Sequence, residues 1–148
     1  MKKQILWMPL ILTTMFAAAA VSTRAQTPYG VRANVTFDFV VGDKTIRAGH
    51  ISAKGVSAAL QGAITITNVA QGELAVRTGR RVLGAAQTQE AKLVFHKYGN
   101  RYFLAEIWTP GYEAWKVMKS KEERSLERDT RLVKNFKPER IVVAAATE

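Results

Sequence analysis

The segment from Ala91 to Trp108 limits the possible folds of this chain more than any other part of the sequence. It reads AKLVFHKYGNRYFLAEIW, two stretches rich in β-branched and aromatic side chains on either side of Gly99-Asn100. A glycine-containing pair between two such stretches is typical of a tight β-hairpin turn. The sequence therefore predicts an antiparallel hairpin, with glycine in the position of the turn that requires positive φ.

The length of the turn fixes which residues face one another across this hairpin. A two-residue loop places Phe95 opposite Leu104 and Glu106 opposite Leu93 on the face that we expect to be the core. His96 then lies on the other face. Both faces are mixed and rich in aromatic residues, so we expect the hairpin to be central, with its second face partly covered.

Other short stretches of the sequence also have the two-residue alternation of β-strands. Gly42-Asp43 predicts a hairpin turn that places Asp38 opposite Arg47 on the solvent face, while Gly79-Arg80-Arg81 predicts a second turn. Six to eight short strands with this spacing favour a small antiparallel β-sandwich or barrel. The stretches are Val35–Val41, Lys44–His50, Ile64–Thr67, Leu74–Arg77, Val82–Ala86 and Ile141–Val143.

A basic segment near the end of the chain predicts one amphipathic helix, from about Lys121 to Lys134. Ser120 followed three residues later by Glu123 is the pattern of a helix-capping box. At 3.6 residues per turn, Leu126 and Val133 lie on one side, and we expect them to face the sheet. A basic stripe lies on the opposite side and is expected to face water: Lys121, Arg124, Arg128 and Arg131.

Residues 1–25 have the pattern of a secretory signal peptide. Lys2 and Lys3 precede a mostly apolar stretch, and Ala25 is a suitable residue before a cleavage site, with Ala18-Ala19-Ala20 as a second possible site. The apolar stretch is shorter than the roughly 20 residues that span a bilayer. We therefore expect cleavage, an exported protein in the periplasm or outside the cell, and a mature chain without a transmembrane span. The mature chain divides into a β domain at 26–112 and a basic helical segment with a final strand at 113–148.

The composition of the chain excludes several kinds of chemistry. The 148 residues include no cysteine and two histidines, so disulfides, thiolate metal sites and cysteine catalysis are excluded. The sequence contains no nucleophile elbow, phosphate-binding glycine loop or zinc-protease motif. We therefore assign no catalytic, cofactor-binding or metal-binding residue, and expect no cofactor.

The central hairpin supplies the candidate ligand contacts outside the helix. His96 is either a histidine hydrogen-bonded to a neighbour on the sheet or a proton carrier that contacts a ligand. Glu106 is either paired with an arginine or lysine near the sheet edge or a ligand-contacting carboxylate. Aromatic side chains concentrated here could line a sugar or peptide groove, although core and rim positions are more usual. They are Tyr98, Tyr102, Phe103, Trp108, Tyr112 and Trp115.

Two stretches resemble a group of small exported bacterial β-domain proteins to which no function is assigned. They are VRANVTFDFVVGDKTIRAG, from Val31 to Gly49, and the segment from Ala91 to Arg128, which includes AKLVFHKYGNRYFLAEIWTPGY and KSKEERSLER. The resemblance implies export and a small β-domain. It implies no activity and supplies no site residues.

Three functions are compatible with these features. The first is a non-enzymatic β-domain that binds or scaffolds a partner in the cell envelope, such as an envelope protein or a glycan. The second is a peripheral binder of anionic lipid or lipopolysaccharide through the basic helix, whose basic stripe could meet phosphate-bearing surfaces. The third is an enzyme that uses Glu106 or His96. Export argues against a nucleic acid partner.

Overall fold

The computed structural model describes residues 30–56, 62–132 and 137–148, without the side chains of 84–88, 112–113 and 131–132. The predicted signal peptide therefore lies outside the described residues. The described part is mainly β, as predicted, with ten strands and one helix, α1 (Lys121–Leu132). The strands are β1 (Gly30–Val35), β2 (Phe39–Val41), β3 (Lys44–Ile46), β4 (Gly49–Gly55), β5 (Ala63–Asn68), β6 (Glu73–Thr88), β7 (Ala91–Tyr98), β8 (Arg101–Trp108), β9 (Gly111–Val117) and β10 (Glu139–Thr147).

Eight of these strands close into an antiparallel barrel. Their order around the barrel is β8-β7-β10-β1-β4-β5-β6-β9, and β9 pairs again with β8. The β2–β3 hairpin is added to this ring through a parallel contact between Val40 of β2 and Phe103 of β8. The architecture is thus the barrel rather than the sandwich. Its eight strands lie within the predicted six to eight, and the β2–β3 hairpin brings the described total to ten.

The barrel is filled by the inward-facing side chains of alternating strand residues. Its largest fully buried side chains include Phe39, Phe95, Ile51, Ile66 and Leu93. The two phenylalanine rings meet edge to face, with their centroids 5.0 Å apart. Burial of these side chains contributes about 1.5–3 kcal/mol each, so the core can hold a barrel closed without disulfides.

The first predicted hairpin has the expected turn and register, but both of its strands are shorter than predicted, since β2 begins at Phe39 and β3 ends at Ile46. Phe39 pairs with Ile46 as predicted, whereas residues 36–38 separate β1 from β2. The predicted cross-strand pair of Asp38 with Arg47 is wrong. Asp38 instead accepts a hydrogen bond from the backbone N–H of Ala48 at 2.8 Å, and Arg47 pairs with Glu73 at 2.9 Å. Because strand pairing ends at Phe39 and Ile46, the side chains of Asp38 and Arg47 contact partners outside the β2–β3 hairpin.

Strand β6 passes through the position at which a turn was predicted. Its first part pairs with β5 and its second part with β9, so Gly79 lies in the middle of a 16-residue strand. A Cβ atom at this glycine would lie 2.4 Å from Cδ1 of Ile64 and 3.1 Å from the carbonyl oxygen of Lys116. Gly79 therefore permits close approach of neighbouring strands instead of making a turn.

The central hairpin of β7 and β8 confirms the predicted turn, and Gly99 has φ of 59°. The predicted register holds from the turn to the pair Phe95–Leu104. Beyond that pair a β-bulge shifts the register, so Glu106 faces Val94 rather than Leu93. The extra residue of the bulge turns Glu106 onto the outer face of the barrel. Its predicted place on the core face is wrong.

Helix α1 begins at the predicted residue and lies against the outside of β7 and β8. The backbone N–H of Glu123 donates to Oγ of Ser120 at 3.0 Å, as expected for a capping box. Leu126 faces the barrel, whereas Lys121, Arg124 and Arg128 are exposed, as predicted. The side chain of Arg131 and all of Val133 lie outside the described residues.

The predicted final strand is confirmed and extends over β10, between β7 and β1. Seven residue pairs join β10 to β7, but only two join it to β1, Val31–Thr147 and Arg32–Ala146. The backbone N–H of Glu148 then donates to the carbonyl oxygen of Gly30 at 2.9 Å. The barrel therefore closes at a short seam.

Candidate basic surface on the barrel wall

The described contacts between helix α1 and the barrel include an apolar contact and a buried polar contact. Leu126 packs on an outer cluster formed by Val40, Tyr98 and Phe103. Oε1 of Glu123 lies 3.0 Å from Nδ1 of His96, at hydrogen-bonding distance. Because the side chain of Glu123 is only 3% exposed, this contact supplies a polar partner for a carboxylate removed from water.

Glu122, Glu123 and Glu127 of α1 have cationic or imidazole partners outside the helix. Besides the contact of Glu123 with His96, Glu122 pairs with Arg101 of β8. Glu127 pairs with Lys119, its Oε2 lying 2.7 Å from the ammonium nitrogen. Three of the four acidic side chains of α1 are thereby engaged, and Asp129 is the exposed fourth.

Three of the basic residues of α1 face in the other direction. Lys121, Arg124 and Arg128 are exposed, and none of them has an acidic partner among the described residues. The helix carries four basic and four acidic residues, so its formal charge is zero. Its charges are nevertheless separated, because Glu122 and Glu123 contact the barrel and Glu127 contacts Lys119, while Lys121, Arg124 and Arg128 face water. We call Lys121, Arg124 and Arg128 the basic face.

Glu106 and Trp108 belong to a polar network beside the helix. Oε2 of Glu106 accepts a hydrogen bond from the indole N–H of Trp108 and one from Arg140, each at 2.9 Å. The ammonium group of Lys92 lies 5.3 Å from the centre of the Trp108 ring, a distance suited to a cation–π contact. The bulge puts Glu106 and His96 on the same face, but each has its own partner.

The predicted aromatic cluster does not form a single groove. Tyr98 and Phe103 meet edge to face beneath α1, with centroids 5.7 Å apart. Tyr102 instead stacks on Phe37 at 4.1 Å and packs against the barrel core. Trp115 also packs on the core, and the side chain of Tyr112 lies outside the described residues. Neighbours in sequence are separated here because alternate strand residues point to opposite faces.

A second polar surface lies on the wall formed by β1, β4 and β5, and none of the predicted site residues belongs to it. An open groove of about 340 Å³ is lined there in part by Arg32, Asn34, His50 and Val69. Next to it, the carboxylate of Glu148 contacts Arg32 and two residues of β4. Sequence reasoning missed this surface because it depends on the seam between β10 and β1.

Two structural features are absent from the described residues. No group of three or more histidine, aspartate or glutamate side chains there is placed to hold a metal ion. Within the same residues, no helix has the length and apolar character needed to cross a membrane.

Comparison of the chain with protein-family models, with curated proteins and with solved structures finds no match. The arrangement of the residues themselves must therefore carry any functional assignment.

Proposed function

We propose that this is an exported, non-enzymatic binding protein of the cell envelope, in which the barrel presents the basic face of α1 to phosphate groups on an anionic lipid surface. The signal-peptide pattern of residues 1–25 supports export. The separation of charges on α1 supports the ligand class and is the observation on which the proposal depends.

The contacts of the acidic residues make this proposal stronger than the sequence alone allows. In the sequence, the acids interspersed with the basic stripe would weaken its field, because opposite charges close together cancel at a distance. Glu122, Glu123 and Glu127 are paired with Arg101, His96 and Lys119, so Asp129 is the one acid of the helix that still opposes the exposed cations Lys121, Arg124 and Arg128. The barrel thus orients a neutral helix so that one face is cationic.

The affinity expected from this face is modest and depends on salt. A lysine or arginine near an anionic membrane contributes about 1 kcal/mol, so three contribute about 3 kcal/mol. This corresponds to roughly a hundredfold preference for anionic over neutral vesicles. Because the contacts are exposed to solvent, the preference should fall as the Debye length shortens at higher salt.

Vesicle cosedimentation tests the proposal. We expect the mature protein to bind vesicles of phosphatidylglycerol and phosphatidylcholine at low salt, and to bind vesicles of phosphatidylcholine alone much more weakly. The triple variant K121Q/R124Q/R128Q should lose the binding while its thermal unfolding stays nearly unchanged. Glutamine is a good helix former, so the helix is retained. A parallel series with vesicles that contain lipopolysaccharide compares the two sources of phosphate.

A matched variant separates a specific surface from general attraction by net charge. Arg80, Lys116 and Lys137 are exposed cations elsewhere, and R80Q/K116Q/K137Q removes the same number of charges. It should bind as well as the wild-type protein. If both triple variants bind equally, or if the wild-type protein binds no vesicle at low salt, the proposed function is wrong.

A further inference from the structure

We propose that Arg32, Ser52 and Lys54 form a second ligand site, for a carboxylate, which the side chain of Glu148 occupies in the free protein. The three residues lie on the outer wall of the barrel. Arg32 of β1 is paired with Ser52 of β4, and Lys54 follows on the same face of β4. This wall is distinct from the wall that carries α1.

The contacts of Glu148 define the chemistry of the site. Its Oε1 accepts hydrogen bonds from Nζ of Lys54, at 2.9 Å, and from the guanidinium of Arg32. Its Oε2 accepts one from Oγ of Ser52 at 3.0 Å. Both oxygens of one carboxylate are therefore bound by donors from two neighbouring strands. The hydrogen bond from Lys54 is the largest cause that lowers the pKa of Glu148 to about 2.

The three donor residues lie on the paired strands β1 and β4, whereas Glu148, which occupies the site, follows the short seam between β10 and β1. Strands β1 and β4 pair over six residues, which fixes the spacing of Arg32 and Ser52 without any help from Glu148. Glu148 follows β10 at the short seam, where one backbone hydrogen bond ties it to Gly30. The side chains of Arg32 and Lys54 are 63% and 45% exposed, so a ligand in solution can reach both.

The neighbouring groove explains how the carboxylate of a free ligand could compete with the carboxylate of Glu148. A tethered group has an effective concentration on the order of millimolar, so a competing ligand needs additional contacts. Arg32 is shared between the carboxylate contacts and the groove, which continues past Asn34, His50 and Val69. The surface of the groove is mainly apolar, and Val69 is its large exposed apolar side chain. The ligand class is therefore a carboxylate attached to a small organic body.

The variant E148Q tests this proposal by removing the resident charge. Succinate is the probe, and it is titrated at constant ionic strength while the backbone amide resonances of β1 and β4 are followed by NMR. We expect E148Q to bind succinate about tenfold more tightly than the wild-type protein, because the cations of the site are no longer neutralised. Adding R32Q to E148Q should abolish the binding. The control E139Q removes an acid of β10 that pairs with Lys97, and should behave as wild type.

Three results would overturn the proposal. The first is that E148Q and the wild-type protein bind succinate with equal affinity. The second is that the double variant R32Q/E148Q binds succinate as tightly as E148Q does. The third is that E148Q binds inorganic phosphate but not succinate. If E148Q fails to fold, the wild-type protein at about 100 mM succinate provides the test. Amide shifts in β1 and β4 that occur in the wild-type protein and vanish in the R32Q single variant support the site. If the wild-type protein shows no such shifts, or if R32Q shows the same shifts, the site is rejected.

Discussion

Replacing Gly79 by alanine should reveal how closely the strands of the barrel approach one another. The new Cβ would lie 2.4 Å from Cδ1 of Ile64, which real contacts do not permit, and 3.1 Å from the carbonyl oxygen of Lys116. Ile64 is itself 1% exposed, so its side chain has no open space to enter. Inserting one methyl group into such a site costs about 1–3 kcal/mol.

The same substitution at Gly55 is the matched control. A Cβ there would find only Trp115, at 3.9 Å, and this glycine does not have positive φ. Gly55→Ala should therefore leave stability unchanged or raise it by about 0.4–1 kcal/mol, by restricting the unfolded chain.

Thermal unfolding measured by circular dichroism distinguishes the two variants. At roughly 4 °C per kcal/mol for a domain of this size, Gly79→Ala should lower Tm by about 4–12 °C, while Gly55→Ala should not lower it. A Gly79→Ala variant that melts within 1 °C of wild type would contradict the close packing at this position. An equal loss of Tm in both variants would also contradict it, since such a loss would reflect the replacement of strand glycines in general.

Further perturbations test the helix, a buried amide, the seam and the turn. Leu126→Ala should accelerate hydrogen exchange in residues 121–132 without changing exchange in the barrel, since a short helix depends on its docking contacts; equal acceleration in both parts would refute this. Asn68 is fully buried and its amide donates to the carbonyl oxygen of Arg47 at 2.9 Å, so Asn68→Ala should cost about 1–3 kcal/mol in urea unfolding, and a loss below about 0.5 kcal/mol would be too small for this account. The lowered pKa of Glu148 means that its stabilising contribution is complete above pH 4.5 and is lost as pH falls through about 2; denaturation at several pH values should show this loss in wild type but not in E148Q. Gly99→Val should lower Tm because φ of 59° strains a β-branched residue, and an unchanged Tm would count against the turn.

The features that sequence predicted correctly are those determined by local pattern. Alternation and turn residues gave the β7–β8 hairpin and the pairing of Phe39 with Ile46, because a tight turn determines the register next to it. Ser120 and Glu123 likewise located the start of α1, because capping involves neighbouring residues.

The features that sequence did not predict depend on distant contacts. Nothing in a single strand indicates a β-bulge, so the side on which Glu106 lies could not be derived from turn length. Gly79 resembles a turn residue until its neighbours Ile64 and Lys116 are known. Arg47 similarly pairs with Glu73, which a different hairpin contributes. Each outcome is determined by the packing of strands that are separated in sequence.

The candidate surfaces likewise include features that the sequence predicted and features that it could not predict. Helical periodicity predicted that Lys121, Arg124 and Arg128 share one exposed face, and the structure confirms this for all three. It could not predict that Glu123 would be buried against His96, because that contact joins α1 to the barrel. The site around Glu148 was missed because its donors and its acceptor meet only when β10 closes on β1.

The measurement that tests the central claim most directly is the orientation of the protein on an anionic vesicle. Vesicles that contain phosphatidylglycerol and a spin-labelled headgroup broaden the amide resonances of whichever protein surface lies against them. We expect broadening to be strongest around Lys121, Arg124 and Arg128 and to be weak on the opposite wall, around Thr65 and Thr67. Broadening centred on that wall, or spread evenly over the barrel, would contradict the claim that the basic face of α1 is the binding surface.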